Sequence, residues 1–156
     1  MRKDEPRGKL LQLNVSPGGM PKRAVLFAHV GRNGIEGDRQ RTLKYHGGPD
    51  RAVCLFSREL YDWLRERGID LVDGSVGENF TTDGIDLTTL SIGDRLRVGE
   101  CLIEITGVRT PCRNLNQWHP DLLERMKGRS GWVARVLEEA VVQPGEEIVV
   151  VPRGGA

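Results

Sequence analysis

Net charge is almost absent from this chain: 23 lysines and arginines against 22 aspartates and glutamates leave a formal +1. That balance excludes the strongly basic footprint of a nucleic-acid binder and gives no basis for charge-driven attachment to anionic membranes. It leaves room for a local anion site, because a net charge is silent on clusters. No apolar run approaches the ~20 residues that span a bilayer. The N-terminal MRKDEPRGK leads into a short strand pattern, not into the longer apolar stretch of a signal peptide. Cysteine is scarce as well. Cys54, Cys101 and Cys112 are odd in number and irregular in spacing, which excludes a disulfide framework. His29, His46 and His119 have no zinc-ligand spacing and no Cys-x-x-Cys partner. Reduced thiols in a cytoplasmic protein are the expectation. A Walker loop, a G-x-G-x-x-G fingerprint, an internal repeat and a boundary linker are all missing. One domain covering residues 1–156 and burying its own core is therefore expected.

Glycine is the residue in excess. Twenty in 156 is nearly twice the ordinary share of ~7%, and they fall at segment ends, as turns between short strands require. Leu10 to Val15 reads as a first strand and Ala24 to Val30 as a second. Arg51 to Phe56 is apolar on both faces, as in a buried strand. Ser57 can cap a helix reaching to about Arg67, with Leu60, Tyr61, Trp63 and Leu64 as its apolar stripe and Gly68 as its stop. Gly31–Asp50 and Asp73–Gly84 are glycine-rich polar stretches. Arg95–Val98 and Cys101–Thr106 form a hairpin across Gly99-Glu100, a pair suited to a type II′ turn. Pro120 can open a short helix carrying Leu122, Leu123 and Met126. Trp132, Val133, Val136, Leu137 and Ala140 fit another helical stripe. Ile148 to Val151 is a last strand, and Arg153–Ala156 a frayed tail. Six or seven strands and three short helices without a βαβ rhythm predict a mainly β fold. Its form is a mostly antiparallel barrel or sandwich with short helices inserted.

Three segments carry candidate chemistry. Cys54 and Cys101 lie on apolar strands and read as small buried hydrophobes. Cys112 follows a strand end in Gly107-Val-Arg109-Thr-Pro111-Cys112-Arg113-Asn, between two arginines that favour a thiolate. A thiolate is both a nucleophile and a soft metal ligand. A loop cysteine beside ordinary surface arginines is the alternative. Gly34-Ile-Glu-Gly-Asp38-Arg39, followed by His46-Gly-Gly-Pro-Asp50-Arg51, offers backbone N–H groups and two guanidinium groups to an anion, or else is a solvated turn. Gly77-Glu78-Asn79 could present a carboxylate and an amide to a heterocycle edge, or be an internally satisfied loop.

In order, Gly34-Ile-Glu-Gly-Asp38-Arg39, His46-Gly-Gly-Pro-Asp50-Arg51-Ala-Val53, Gly77-Glu78-Asn79-Phe80-Thr81, Ile92-Gly-Asp94 and Arg109-Thr-Pro111-Cys112 resemble the MOSC family. That family is named for the C-terminal domain of molybdenum-cofactor sulfurases. Gly131-Trp-Val-Ala-Arg135-Val and Gly145-Glu146 are similar to its closing pattern, so the resemblance covers roughly residues 8–152. It implies a closed or partly open β-barrel like the barrel domain of pyruvate kinase, and a site for molybdenum cofactor (molybdopterin). Carried over, Cys112 would be the molybdenum ligand or a sulfur-carrying thiol. Arg109, Asn79, Arg39 and Arg51 would hold cofactor phosphate and pterin, and are expected to converge on one pocket. Arg113, beside the cysteine, and His46, in the glycine-rich loop, complete the candidate set. Two activities follow from the resemblance: reduction of N-hydroxylated small molecules, or a non-enzymatic sulfur carrier with a persulfide on Cys112. Neither an iron–sulfur motif nor a desulfurase segment is present, so a separate electron donor or cysteine desulfurase is expected as partner. Outside the family, Cys112 and His46 could form a Cys–His acyl-transfer pair, though no local motif supports it.

Overall fold

The computed structural model describes residues 6–18, 20–38, 49–110, 113–129 and 131–152, with the side chains of 113 and 114 outside the description. Eleven strands are present among these residues. They are β1 (Arg7–Val15), β2 (Arg23–Val25), β3 (Ala28–Gly31), β4 (Gly34–Ile35), β5 (Val53–Ser57), β6 (Phe80–Asp83), β7 (Arg95–Val98), β8 (Cys101–Val108), β9 (Trp132–Glu138), β10 (Ala140–Val142) and β11 (Glu147–Val151). Two α-helices, α1 (Arg58–Arg65) and α2 (Leu122–Met126), and three 3₁₀ turns join them.

Seven strands close a barrel in the order β11-β7-β8-β9-β5-β6-β1, sealed by β1 pairing with β11. Closure removes the unpaired sheet edges that an open sheet would expose. β2 hangs on the C-terminal half of β1, and β10-β3-β4 form a small separate sheet. The single apolar run Ala24–Val30 is thus divided. Its first part pairs with β1 and its second with β10, and Leu26 and Phe27 at the crossing are exposed. The barrel interior is filled by Leu10, Leu13, Val53, Leu55, Phe80, Leu96, Ile103, Ile105, Ala134, Val136 and Ile148. Each large aliphatic or aromatic side chain removed from water there contributes ~1.5–3 kcal/mol.

β5 is buried on both faces, as its apolar pattern predicts. Val53 and Leu55 face the barrel. Phe56 joins an outer cluster with Tyr61, Leu64, Ile69, Leu71, Val76, Leu115, Leu122 and Met126. α1 begins where expected, the Ser57 hydroxyl accepting the Leu60 N–H at 3.1 Å. Trp63, on its outer side, has the guanidinium groups of Arg67 and Arg129 over its ring, 3.9 and 4.3 Å from the centroid. α2 starts at Leu122, after Pro120, with the Asp121 N–H donating to His119 Nδ1 at 3.1 Å. The 99–100 turn is of the expected type, since Gly99 has φ +57° and no other residue type takes a positive φ among the described residues.

Three features differ from the sequence reading. The stripe from Trp132 to Ala140 is not a helix but β9 and β10. Trp132 and Val136 satisfy period 4 and period 2 alike. Pairing between β5 and β8 decides for period 2, with Ala134 and Val136 inward and Arg135 outward, until a register shift against Leu102 and Ile103 turns Glu138 outward. The stretch 73–84 contains a strand, β6, too short and threonine-rich to stand out. β6 lies parallel to β5, so β5-α1-β6 is one βαβ crossover in an otherwise antiparallel barrel. The return arm of that crossover, residues 66–79, carries the turn that builds the site below. No helix among the described residues is long and apolar enough to cross a membrane.

Gly131 marks the tightest approach in this wall. It has φ +85°, and a Cβ there would lie 2.0 Å from the Leu55 carbonyl oxygen. Gly128 has φ +77° but open space around it. Gly131→Ala is therefore expected to destabilise the protein by about 3 kcal/mol or more, from backbone strain plus a clash that only main-chain movement relieves. Gly128→Ala should cost only the backbone part, about 1–2 kcal/mol. Urea unfolding of the two variants checks this; equal losses would contradict it.

Candidate functional site

At one end of the barrel a group of polar side chains is buried between the two apolar clusters. Asn14, Lys22, Glu78, Asn79 and Thr81 are all under 9% exposed. Desolvating them is costly unless every polar atom finds a partner. Asp38 is the centre. Its Oδ1 accepts the Ser16 N–H at 3.0 Å and Lys22 Nζ at 2.7 Å, and its Oδ2 accepts Lys22 Nζ at 2.8 Å and Asn79 Nδ2 at 3.0 Å. The Lys22 and Asp38 side chains are 4% and 3% exposed, so this ion pair is shielded from solvent screening. Asn79 ties the pair to the barrel. Its Oδ1 accepts the Cys54 N–H at 2.9 Å, and its Nδ2 also reaches the Asn14 carbonyl at 3.3 Å. Asn14 Nδ2 in turn donates to the Glu78 carbonyl and to Thr81 Oγ1, at 3.2 and 3.0 Å.

Glu78 is the second buried carboxylate. It accepts the Tyr61 hydroxyl at 2.7 and 2.8 Å, the Thr81 hydroxyl at 2.7 Å and the Gly74 N–H at 3.1 Å. Burial raises its pKa, and the three hydrogen bonds pull it back down in part. Burial likewise pushes the Tyr61 phenol above its ordinary value, with the Glu78 charge adding to it. Tyr61 accepts the Val76 N–H at 3.2 Å, so the turn 74–78 is tied to α1 through one hydroxyl.

Arg109 closes the site from β8. Its N–H bonds to the Gly131 carbonyl at 3.0 Å, and its Nη2 donates to the Val76 carbonyl. Gly77 lies beside it with φ +87°, and a Cβ there would sit 3.2 Å from Arg109 Nη2, a tight contact. Trp118 Nε1 donates to the Ser75 carbonyl at 2.9 Å and covers the same turn. Cys54 faces this charged group. Burial raises its pKa. The nearby cations Arg109 and Lys22 oppose that shift, and the carboxylates of Glu78 and Asp38 reinforce it. Cys101, at the far end of β8, is pushed up to about 12, again chiefly by burial. Both thiols are free and buried, as their apolar surroundings predict, and both are held protonated.

Of the residues singled out from sequence, Asn79 and Arg109 are brought together around Cys54. Asn79 has no exposed surface and all its polar groups are engaged, so it acts on its surroundings through Asp38, Asn14 and the Cys54 amide. Glu78 is satisfied in the same way, which makes Gly77-Glu78-Asn79 an internally bonded turn. Arg51 is exposed, on the 3₁₀ turn Pro49–Arg51. That turn is held to the barrel by the Thr106 hydroxyl, which donates to the Asp50 carbonyl, and by Arg135 Nε at 3.7 Å from Asp50 Oδ1. Arg39, His46, Cys112 and the Arg113 side chain lie outside the described residues. The described residues do fix where their segments start and end. Asp38 anchors the residue before Arg39, Pro49–Arg51 anchors the return, and Arg109 anchors the strand end three residues before Cys112. No group of three or more metal-ligating side chains occurs among the described residues. Sequence reasoning missed Asn14, Lys22, Tyr61 and the role of Asp38. An asparagine inside the apolar run Leu10–Val15 was the one available signal.

Comparison with known proteins gives this site a context. A model of the MOSC domain matches residues 42–149. The chain is 38% identical over 129 residues to protein YiiM of Escherichia coli, covering 77% of this chain and 57% of that one. It is 33% identical over 145 residues to protein YflK of Bacillus subtilis, covering 90% of this chain and 66% of that one. The chain thus spans only about three-fifths of the length of these relatives. The crystal structure of YiiM from Geobacillus stearothermophilus superposes with a TM-score of 0.78 at 30% identity, over 94% of this chain and 76% of that one.

The Lys22–Asp38 pair gives a direct stability test. Lys22→Met keeps the side-chain length but leaves a buried carboxylate without its cation. A loss of ~3–5 kcal/mol is expected, or roughly 10 °C in Tm. Lys127→Met, which breaks the solvent-exposed pair with Glu124, should shift Tm little. Thermal melts of the two variants decide it; comparable small shifts would show that the buried pair carries no such weight.

Proposed function

The chain belongs to the MOSC domain family, and on that footing we propose that it binds molybdenum cofactor, with Cys112 as the protein's thiolate ligand to the metal. Arg109 is the residue proposed to hold the phosphate end of the pterin, with Arg39, Arg51, Arg113 and His46 as further contacts. Asn79 supports them from beneath through Asp38. The observation that carries this reading is the placement of Arg109. A guanidinium group is seated on the Val76 carbonyl beside a glycine, on the same strand exit that leads to Cys112. A phosphate wants such a cation together with nearby backbone N–H groups. The donor chemistry also fits. Cys54 and Cys101 are buried with raised pKa values, so thiolate chemistry falls to the third cysteine. A soft thiolate suits molybdenum already bound to dithiolene sulfurs.

The activity proposed is reduction of an N-hydroxylated small molecule. The N–O bond breaks, two electrons and two protons enter, and the N–H product and water leave. The bound cofactor would supply the two-electron redox chemistry, and a separate donor protein the electrons. Reduced thiols at Cys54 and Cys101 accord with a cytoplasmic setting. The competing assignment within the family is a sulfur carrier, with a persulfide on Cys112 loaded by a separate cysteine desulfurase.

Expression in a host that makes the cofactor separates the two. The expected result is molybdenum and fluorescent oxidised pterin in the wild-type protein. Cys112→Ser should lose metal while retaining some pterin. Arg109→Ala should weaken pterin binding about ten- to a hundredfold with the thiol intact. Native alkylation at neutral pH should label Cys112 well ahead of Cys54 and Cys101. Wild-type protein carrying neither molybdenum nor pterin would overturn the cofactor reading, and a persulfide mass on Cys112 would then favour the carrier.

A further inference from the structure

We propose that Tyr61 is a positioning residue for anion binding by Arg109, acting through the main chain of Val76; this rests on the reading of Arg109 as the phosphate-holding residue. The two side chains never need to touch. The Tyr61 hydroxyl donates a hydrogen bond to Glu78 and accepts the Val76 N–H at 3.2 Å, and the carbonyl of the same residue accepts Arg109 Nη2. Val76 is therefore gripped from both sides, by a phenol rising from α1 and by a guanidinium reaching in from β8.

Two further ties hold the residues just before Val76. Glu78, the proton acceptor for Tyr61, also fixes Gly74 at 3.1 Å, and Trp118 fixes the Ser75 carbonyl at 2.9 Å. The Tyr61 ring is itself locked, edge-on to Phe56 at 4.8 Å and 74° and without exposed surface. The hydroxyl thus sits at a fixed point of the outer core. Val76 has no exposed surface either, so water cannot replace the phenol as partner of its N–H. Arginine loses much rotational freedom when it grips an anion, and a guanidinium already seated on a fixed carbonyl has less to lose.

Tyr61→Phe removes the hydroxyl and keeps the ring. Its predicted effect is specific: weaker grip on the phosphate, with the rest of the ligand untouched. The probes are oxidised pterin carrying its phosphate and the same pterin after phosphatase treatment, each titrated onto the apoprotein by fluorescence. Wild-type protein should bind the phosphorylated probe more tightly. Tyr61→Phe should lose about two- to tenfold in affinity for that probe and little for the dephosphorylated one. In an Arg109→Ala background, Tyr61→Phe should have no further effect. Gly128→Ala controls for stability, since its cost is backbone strain alone and an added Cβ there meets nothing within 4 Å. It should lower Tm without changing the preference for phosphate. A Tyr61→Phe protein that is folded and retains the full wild-type preference overturns the inference while leaving the reading of Arg109 intact. Wild-type protein that binds both probes equally overturns the reading of Arg109, and the inference with it.

Discussion

The carboxylate of Asp38 is the fixed point on which this end of the barrel depends. It sits where three chain segments meet: the turn after β1, the segment carrying Lys22 into β2, and the end of the glycine turn after β4. Only a group with several acceptor sites can join a backbone N–H, an ammonium and an amide at once, and a carboxylate offers them. Asn79 extends the joint to β5 through the Cys54 amide, so loop and barrel are tied by hydrogen bonds where no apolar side chain could reach. A buried ion pair is not in itself a source of great stability, because desolvation offsets most of its attraction. Its value here is positional, since neither charge can move without being left unpaired.

A second joint, built on Glu78, does the same for the turn between α1 and β6. The two carboxylates divide the work. Asp38 sets where the segment running on to Arg39 begins, and Glu78, through Tyr61, sets the carbonyl on which Arg109 rests. Between them lies Cys54, its thiol protonated by burial despite two nearby cations. Burial thus keeps thiolate chemistry off the barrel wall, at Cys54 and Cys101 alike. This arrangement is the physical basis for reading the site as one that holds a soft metal at one end of a ligand and a phosphate at the other.

Much of the barrel could be read from residues alone. Strand β5, the 95–108 hairpin and the cap at Ser57 each carry a strong local signal, and their ordered motifs point to the family. What escaped has a common cause, which is that tertiary pairing chose between local patterns of equal merit. Trp132–Ala140 fits helix and strand alike until β5 and β8 flank it. Phe80–Asp83 becomes a strand only because α1 delivers it alongside β5. The site was legible in part. Arg109 stood out through its neighbours, whereas Asp38 appeared only as a member of the glycine turn and Lys22 carried no signal, because burial of an ion pair is decided by segments distant in sequence. Asn79 was legible both as a ligand contact and as part of an internally satisfied loop, and its hydrogen bonds are those of the second.

The proposed function stands or falls on direct binding of molybdenum by Cys112. X-ray absorption at the molybdenum edge, on protein from a cofactor-producing host, tests it without reference to any substrate. A thiolate sulfur beyond the dithiolene pair is expected in the wild-type protein, and one sulfur fewer in whatever molybdenum Cys112→Ser retains. Identical sulfur shells in the two proteins would contradict it.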